Sequence, residues 1–180
     1  FEPLKDLQGN KLKGASWYRN AVSLIADRSS PSELFASGKL LGRPSEGRMS
    51  MFFYDPKTKA RLPYYDTFPL VLPIEPMRGG FIGLNFHYLP YGARFAFLQQ
   101  LQSYASNGKF DKSTKIRASY NSIKSNKYTK VAIKRYLYSQ VRSQFLRIDT
   151  DEMALAAYLP VAQFSGRTLG GVFAAARKNF

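Results

Sequence analysis

The chain has 180 residues, enough for one domain with a hydrophobic core, and its 44% hydrophobic content argues against a disordered protein. It carries 27 Lys and Arg against 12 Asp and Glu, a formal net charge of +15 at pH 7. The lack of cysteine excludes disulfides and thiolate chemistry, and no apolar run reaches the roughly 18 residues that would predict a membrane span. Such a basic chain is expected to bind a polyanion, the candidates being DNA, RNA or an anionic membrane surface.

The N-terminal part of the chain is predicted to be helical. Apolar residues at helical spacing predict an amphipathic helix over residues 12–28. A second helix is expected to begin at Ser30, where the Ser30 hydroxyl and Glu33 form a capping box, and to end at Gly38. Residues 42–48 have the composition of a linker.

The next part of the chain is predicted to be β-structure, with strands over residues 49–54, 68–75 and 81–88. The last two strands are expected to join across a turn at Gly79-Gly80. Pro69 and Pro73 cannot donate to a ladder, so the first strand of this pair is expected at a sheet edge or at a bulge. Aromatic residues crowd into positions 52–91, where we expect the core. The alternative interpretation is that these rings stack on the bases of single-stranded nucleic acid.

The remainder is predicted to be mainly helical. Periodic apolar residues predict helices over residues 94–106, 112–124 and 130–142, and a strand is expected at 145–148. The acidic residues at positions 149–152 suit the N-terminus of a further helix, because the helix dipole favours negative charge there. A short helix or tail is expected over residues 166–180.

The basic residues are concentrated in the second half of the chain. Residues 109–147 contain eleven cations opposed only by Asp111, so that +10 of the total +15 comes from this stretch. Because so many like charges repel one another unless an anion is present, the pattern favours polyanion binding over a solvated basic face. The predicted nucleic-acid-binding residues are these cations and one tyrosine: Lys109, Lys112, Lys115, Arg117, Lys124, Lys127, Lys130, Lys134, Arg135, Tyr138, Arg142 and Arg147.

The predicted helix over residues 130–142 would place three of the predicted binding residues on one face. Arg135, Tyr138 and Arg142 recur at i, i+3 and i+7 and would share one face, which suits the bridging of phosphate oxygens. If six to ten phosphates are contacted, affinity is expected to fall roughly 10³- to 10⁵-fold between 50 and 200 mM salt. The opposite face would pack through Ala132, Ile133, Tyr136, Leu137 and Val141.

Residues for catalysis or for metal binding are scarce. The one histidine, His87, lies in a predicted strand without cysteine or clustered acids around it, which favours a structural role. Asp66 and Glu75 are the best candidates for a nuclease metal site, but Glu75 lacks the following lysine that such sites often have. We therefore predict no catalytic residue, no metal and no cofactor, and the glycine pairs match no phosphate-binding fingerprint.

Six stretches of the sequence are similar to those of one known family: MFFYDPKTK (residues 51–59), LPYYD (62–66), FPLV (68–71), GLNFHYLP (83–90), KRYL (134–137) and VRSQFL (141–146). They resemble the DNA end protector family of T-even-type tailed phages. The resemblance covers residues 50–148, and it implies a late-acting virion protein that joins the filled head. Such a protein would bind the termini of the packaged linear genome, shield them from exonuclease and make the head competent for tail attachment. The resemblance implies no catalytic residues.

We therefore expect an α+β protein with a small antiparallel β-sheet flanked by helices and a helical N-terminal flank. Residues 1–48 would form that flank and its linker, and residues 49–180 the nucleic-acid-binding domain. The expected partners are double-stranded DNA at the genome terminus and proteins of the phage head, portal or neck, in the virion and in the host cytoplasm. The alternatives are a structural neck, tail or baseplate protein whose basic face meets acidic proteins, and an RNA-binding protein.

Overall fold

The computed structural model describes residues 30–45, 47–105, 121, 123, 125, 129–149 and 152–178. The predicted helix over residues 12–28, and nearly all of the one over residues 112–124, lie outside the described residues. Within them the chain has the expected α+β architecture, a mainly antiparallel sheet with helices packed around it. None of the described helices is long and apolar enough to cross a membrane.

Two sheets are present in the described part of the chain. The larger has six strands in the order β1-β7-β2-β4-β5-β6, and all of its pairs are antiparallel. The smaller pairs β3 with β8. The strands are β1 (Lys39–Leu41), β2 (Ser50–Met51), β3 (Tyr65–Asp66), β4 (Leu70–Met77), β5 (Gly80–Asn85), β6 (Ile133–Leu137), β7 (Phe145–Arg147) and β8 (Phe164–Ser165).

The β4–β5 hairpin confirms the turn predicted at Gly79-Gly80. Gly79 has a φ of 75°, a backbone conformation that favours glycine, and a Cβ at Gly80 would collide with the carbonyl of Tyr136. The pairing register shifts between Pro73 and Glu75, so the predicted bulge is confirmed. The edge position is wrong, because β4 lies between β2 and β5. The bulge therefore accommodates the proline inside the sheet.

Both faces of the large sheet are covered, which places the core. Val71 belongs to an aromatic cluster on one face, together with Phe52, Tyr54, Phe81, Tyr136 and Phe145. Its neighbours Leu70 and Leu72 belong to the larger cluster on the opposite face. The core predicted at positions 52–91 is confirmed, since six of the ten aromatic residues there are buried: Phe52, Tyr54, Phe68, Phe81, Phe86 and Tyr88.

Four α-helices surround this sheet in the described residues: α1 (Pro31–Ser37), α2 (Tyr91–Ala105), α3 (Met153–Tyr158) and α4 (Leu169–Arg177). The predicted capping box of α1 is confirmed, since Ser30 accepts from the backbone of Glu33 and the Glu33 carboxylate accepts from the backbone of Ser30. Gly38 is the C-cap, as predicted. Helix α3 follows the acidic residues at positions 149–152, and α4 confirms the helix expected near the end of the chain.

The N-terminal side of the described chain packs on the sheet. Strand β1 pairs with β7, and the ring of Phe35 in α1 lies 5.5 Å from Phe53 and 6.0 Å from Phe68 between ring centroids. Residues before position 48 thus contribute a strand to the sheet. The division of the chain at residue 48 stays a prediction.

The predicted helix over residues 130–142 is wrong. Residues 133–137 form β6, a strand at one edge of the sheet, between short 3₁₀ turns at Lys130–Ala132 and Tyr138–Gln140. The error has a physical cause: with both faces of the sheet covered, Ile133 contacts the larger cluster and Tyr136 the aromatic one. Apolar side chains on both sides of a strand do not alternate with polar ones, and here their spacing imitates a helix.

Candidate nucleic-acid interface

Six of the predicted binding residues lie outside the described residues: Lys109, Lys112, Lys115, Arg117, Lys124 and Lys127. Their part in DNA binding stays a prediction. Five of the other six lie on β6, on β7 or in the 3₁₀ turns beside β6, and Arg142 lies two residues after the second turn. Because residues 133–137 form a strand, Arg135, Tyr138 and Arg142 do not share the face of a helix.

Two of the described candidates, Lys134 and Arg147, are only partly exposed and are held by other side chains. The Lys134 ammonium lies 4.1 Å from the centre of the Tyr88 ring, and burial lowers the pKa of Lys134. Arg147 forms an ion pair with Asp149, Nη2 lying 2.8 Å from Oδ1, and the Lys39 ammonium lies 2.8 Å from the other oxygen of the same carboxylate. These two cations stabilise the protein itself and are poorly placed to contact a phosphate chain.

The remaining described cations of the set face solvent. Lys130, Arg135 and Arg142 are all exposed, Arg135 on β6 opposite Ile82 of β5 and Arg142 just after the Tyr54–Val141 bridge. Arg142 is held in place by its own turn, since its Nη1 donates to the carbonyl of Ser139 at 3.2 Å. A guanidinium group fixed in this way loses little side-chain entropy on meeting a phosphate.

Arg142 also belongs to a group of three cations and one tyrosine that the sequence pattern did not bring together. Asp55 accepts from Lys59 at 2.8 Å, and Nη2 of Arg142 lies 3.6 Å from its other oxygen. The guanidinium carbon of Arg43 lies 5.6 Å from the centre of the Tyr138 ring, at the turn that follows β6. We call this group, Arg43, Lys59, Tyr138 and Arg142, the basic rim.

The three cations of the basic rim carry more positive charge than the neighbouring carboxylate of Asp55 can balance. The hydrogen bond from Lys59 holds the pKa of Asp55 below its usual value and raises the pKa of Lys59. One carboxylate is thus shared by two cations, while Arg43 rests on an aromatic ring. The Lys-x-Lys spacing at residues 57–59 was visible in the sequence, but its proximity to Arg142 depends on the fold.

The candidates for catalysis are buried. His87 is fully buried, with Nδ1 2.8 Å from Asp66 Oδ2, and burial lowers the pKa of His87, so the ring is neutral at pH 7. The Asp66 carboxylate also accepts from the backbone of Phe68 and from the amide of Asn85, which in turn contacts the hydroxyl of Tyr136. This buried polar cluster, Asp66, Asn85, His87 and Tyr136, supports the structural role predicted for the histidine. Among the described residues no three acidic or histidine side chains are grouped to hold a metal ion.

Comparison with known proteins gives one match. Residues 14–178 match the family model described as "Phage T4 terminal DNA protecting protein". No curated protein and no solved structure matches the chain. The family match extends to both sides of residues 50–148, which carry the resemblance in sequence.

Proposed function

Because the chain belongs to the family of phage T4 terminal DNA protecting proteins, we propose that it binds the ends of the packaged linear phage genome and shields them from exonuclease. The observation that carries this proposal is the uneven charge, with eleven cations against one acid in residues 109–147. Three of those cations, Lys130, Arg135 and Arg142, are exposed in the described part of the chain. Two of the twelve residues predicted for the interface, Lys134 and Arg147, are held by other side chains and are left out of it.

The proposed mechanism is occupancy without catalysis. Lys and Arg side chains neutralise backbone phosphates and release their counterions, which gives tight binding without sequence preference. An exonuclease needs a free end to thread into its active site, so an end covered by protein is not a substrate. The buried position of the one histidine and of Asp66 supports a protein that uses its surface charge rather than a reaction centre.

We also propose the step of phage assembly at which the protein acts. The protein would join the filled head, contact head, portal or neck proteins, and make the head ready for tail attachment. It would be found in the virion, inside or at the exit of the capsid, and in the host cytoplasm during assembly and infection. The family description supports the protection of DNA ends, and the assembly role extends it.

Exonuclease protection tests the proposal directly. The protein should slow the digestion of a linear duplex and bind it more tightly than a covalently closed circle of the same sequence. Affinity should fall roughly 10³- to 10⁵-fold between 50 and 200 mM salt if six to ten phosphates are contacted. Equal affinity for linear and circular DNA would contradict the preference for duplex ends. Stronger binding to duplex RNA than to duplex DNA would contradict the proposed function.

A charge-reversal variant locates the interface. Arg135→Glu with Arg142→Glu should weaken binding to all DNA sequences alike, because phosphate contacts carry no base preference. The matched control is Arg177→Glu with Lys178→Glu, which changes the net charge equally at exposed positions around the end of α4. If both pairs weaken binding equally, only the total charge matters. If neither does and head assembly fails instead, the basic surface meets acidic proteins, as in a structural neck or tail component.

A further inference from the structure

An exposed loop stands out on the side of the protein where Lys59 meets Asp55. All seven residues from 57 to 63 are exposed, and we call this segment the basic loop. It contains three cations, Lys57, Lys59 and Arg61, and no carboxylate. At its end lie Leu62, 40% exposed, and the exposed Pro63.

Leu62 is unusual among the described residues. Only one other large apolar side chain there is exposed, Leu40 at 37%. A single exposed leucine is ordinary on a protein surface and carries no argument alone. Here, however, it follows directly after three cations in a segment that presents them all to solvent.

The basic loop is ordered by its own hydrogen bonds. Residues Lys59–Arg61 form a 3₁₀ turn, in which the backbone N–H of Arg61 donates to Thr58 and that of Leu62 donates to Lys59. The loop is fixed on both sides, by the Tyr54–Val141 bridge before it and by the pairing of β3 with β8 after it. A preformed loop loses little conformational entropy on binding, so its contacts contribute more fully to affinity.

Few ligands combine the chemistry that this loop would match. The end of a DNA duplex presents a flat apolar face, the terminal base pair, bordered by the phosphates of two strands. Inside a duplex the same face is hidden by stacking, and proteins that reach it there must insert apolar side chains such as Leu or Pro between base steps. At an end the face is open, and a leucine can cover it without unstacking any base pair.

We propose that the basic loop is the element that recognises the duplex end. Lys57 and Arg61 bind phosphates near the terminus, while Leu62 and Pro63 cover the face of the last base pair. Lys59 is joined through Asp55 to Arg142, so the positive surface continues from the loop to the basic rim, along which the rest of the backbone can run. This inference rests on the proposed function, and it assigns end recognition and general DNA affinity to different side chains.

The first test separates the leucine from the cations. Leu62→Ser should reduce the preference for linear over circular duplex about 10-fold or more, from the lost burial of one leucine, and leave the salt dependence unchanged. Leu40→Ser is the matched control, since it makes the same change at the other exposed leucine, on β1. Affinity for a linear and a circular duplex of one sequence and exonuclease protection are measured for both variants, with thermal unfolding to verify folding.

The second test concerns the cations. Lys57→Gln with Arg61→Gln should weaken binding to linear and circular DNA together. It should also make the negative slope of log affinity against log salt shallower by about 0.9 for each phosphate that the protein no longer neutralises. Arg177→Gln with Lys178→Gln is the matched control and should leave the slope unchanged. Lys59 is left intact because it is paired with Asp55.

The outcomes distinguish this inference from the proposed function. If the wild-type protein prefers and protects ends, and Leu62→Ser does so equally well, the recognition role of the loop is wrong while end protection stands. If the wild-type protein neither binds nor protects DNA, both proposals fail. If Leu62→Ser protects DNA normally but heads carrying it fail to mature, the loop contacts a protein and the DNA-end assignment is overturned.

Discussion

The interior and the surface of this protein use the same charged residue types in opposite ways. The Arg94 side chain is completely buried, and its donors reach the carbonyls of Leu89 at 2.7 Å, Ala157 at 2.8 Å and His87 at 3.3 Å. The cations of the basic rim and the basic loop are exposed, and two of them, Lys59 and Arg142, share one carboxylate, Asp55. A cation whose donors are all directed at protein carbonyls stabilises the fold, whereas an exposed one with donors to spare is available to a phosphate.

Burial decides which of these roles a charged side chain has. Arg94 lies over the rings of Tyr91, at 4.5 Å, and Phe173, at 5.5 Å, and so connects α2 with α4, while its bond to Ala157 connects α2 with α3. Burial lowers the pKa of Arg94 to about 10, which still leaves it charged at neutral pH. The same principle separates Asp66, which accepts hydrogen bonds only inside the protein, from Asp55 at the surface.

The largest effect on stability is expected for Arg94→Met. The change leaves three buried carbonyls without their donor, and we expect a loss of about 3 kcal/mol in the free energy of unfolding. In a chain of this size that corresponds to a fall in Tm of about 6–12 °C. Calorimetry measures both quantities. Arg167→Met is the control, because Arg167 also lies over an aromatic ring, 4.3 Å from the centre of Tyr64, but is exposed; similar losses for the two would remove the distinction between buried and exposed arginines.

A smaller loss is expected for Asp66→Asn. The carboxylate accepts from Phe68, Asn85 and His87, and an amide in its place directs its NH₂ group at one or two of these donors. We expect the free energy of unfolding to fall by about 2 kcal/mol in urea titrations. Asp55→Asn is the surface counterpart and should leave the urea midpoint almost unchanged. A larger shift for Asp55 than for Asp66 would contradict the assignment.

The pH dependence of stability isolates the buried histidine. Burial lowers the pKa of His87 from its ordinary value of 6.5, so the unfolded chain binds a proton more readily than the folded protein. The stability that comes from burying a neutral ring is therefore complete above pH 6.5 and is lost as the pH falls towards the folded pKa. As the chain has one histidine, His87→Gln should flatten urea stability between about pH 7 and 5, before carboxylates titrate. A wild-type profile that is already flat there would contradict a buried neutral ring.

The smallest effect on stability is expected for Arg142→Gln, which should instead affect binding. Its side chain is 52% exposed, so the unfolding midpoint should hardly change. If Arg142 contacts one phosphate, the negative slope of log affinity against log salt should become shallower by about 0.9. Filter binding at several salt concentrations measures the slope, with Arg177→Gln as the control. An unchanged slope would place Arg142 outside the DNA interface.

The features that the sequence predicted correctly depend on neighbouring residues. The capping box of Ser30 and Glu33 spans one helical turn, and the hairpin at Gly79-Gly80 needs only two adjacent glycines. The helix prediction for the edge strand β6 failed because both faces of this strand are covered. Its apolar residues contact two separate clusters, so they do not alternate with polar ones, and their spacing resembles that of a helix. Which cluster covers each face of β6 depends on elements far away in the sequence, so the local sequence pattern cannot predict it.

The candidate site was predictable in charge but not in arrangement. The excess of cations in residues 109–147 is a property of composition, and Lys130, Arg135 and Arg142 are exposed as a binding role requires. By contrast, the ring of Tyr88 under Lys134 and the pairing of Arg147 with Asp149 follow from tertiary packing. The same is true of the contact through Asp55 between Lys59 and Arg142.

The strand order has a consequence for how the protein is made. Strand β7 lies between β1 and β2, two strands that are close in the sequence, and the ion pair beside it joins Lys39 to Asp149, 110 residues away. Until β7 has been synthesised, β1 and β2 expose unpaired backbone edges. Pairing β1 with β7 also closes a long loop in the chain, which is slow. We therefore expect the β4–β5 hairpin to form early during translation and insertion of β7 to be the late step that commits the nascent chain to its native state.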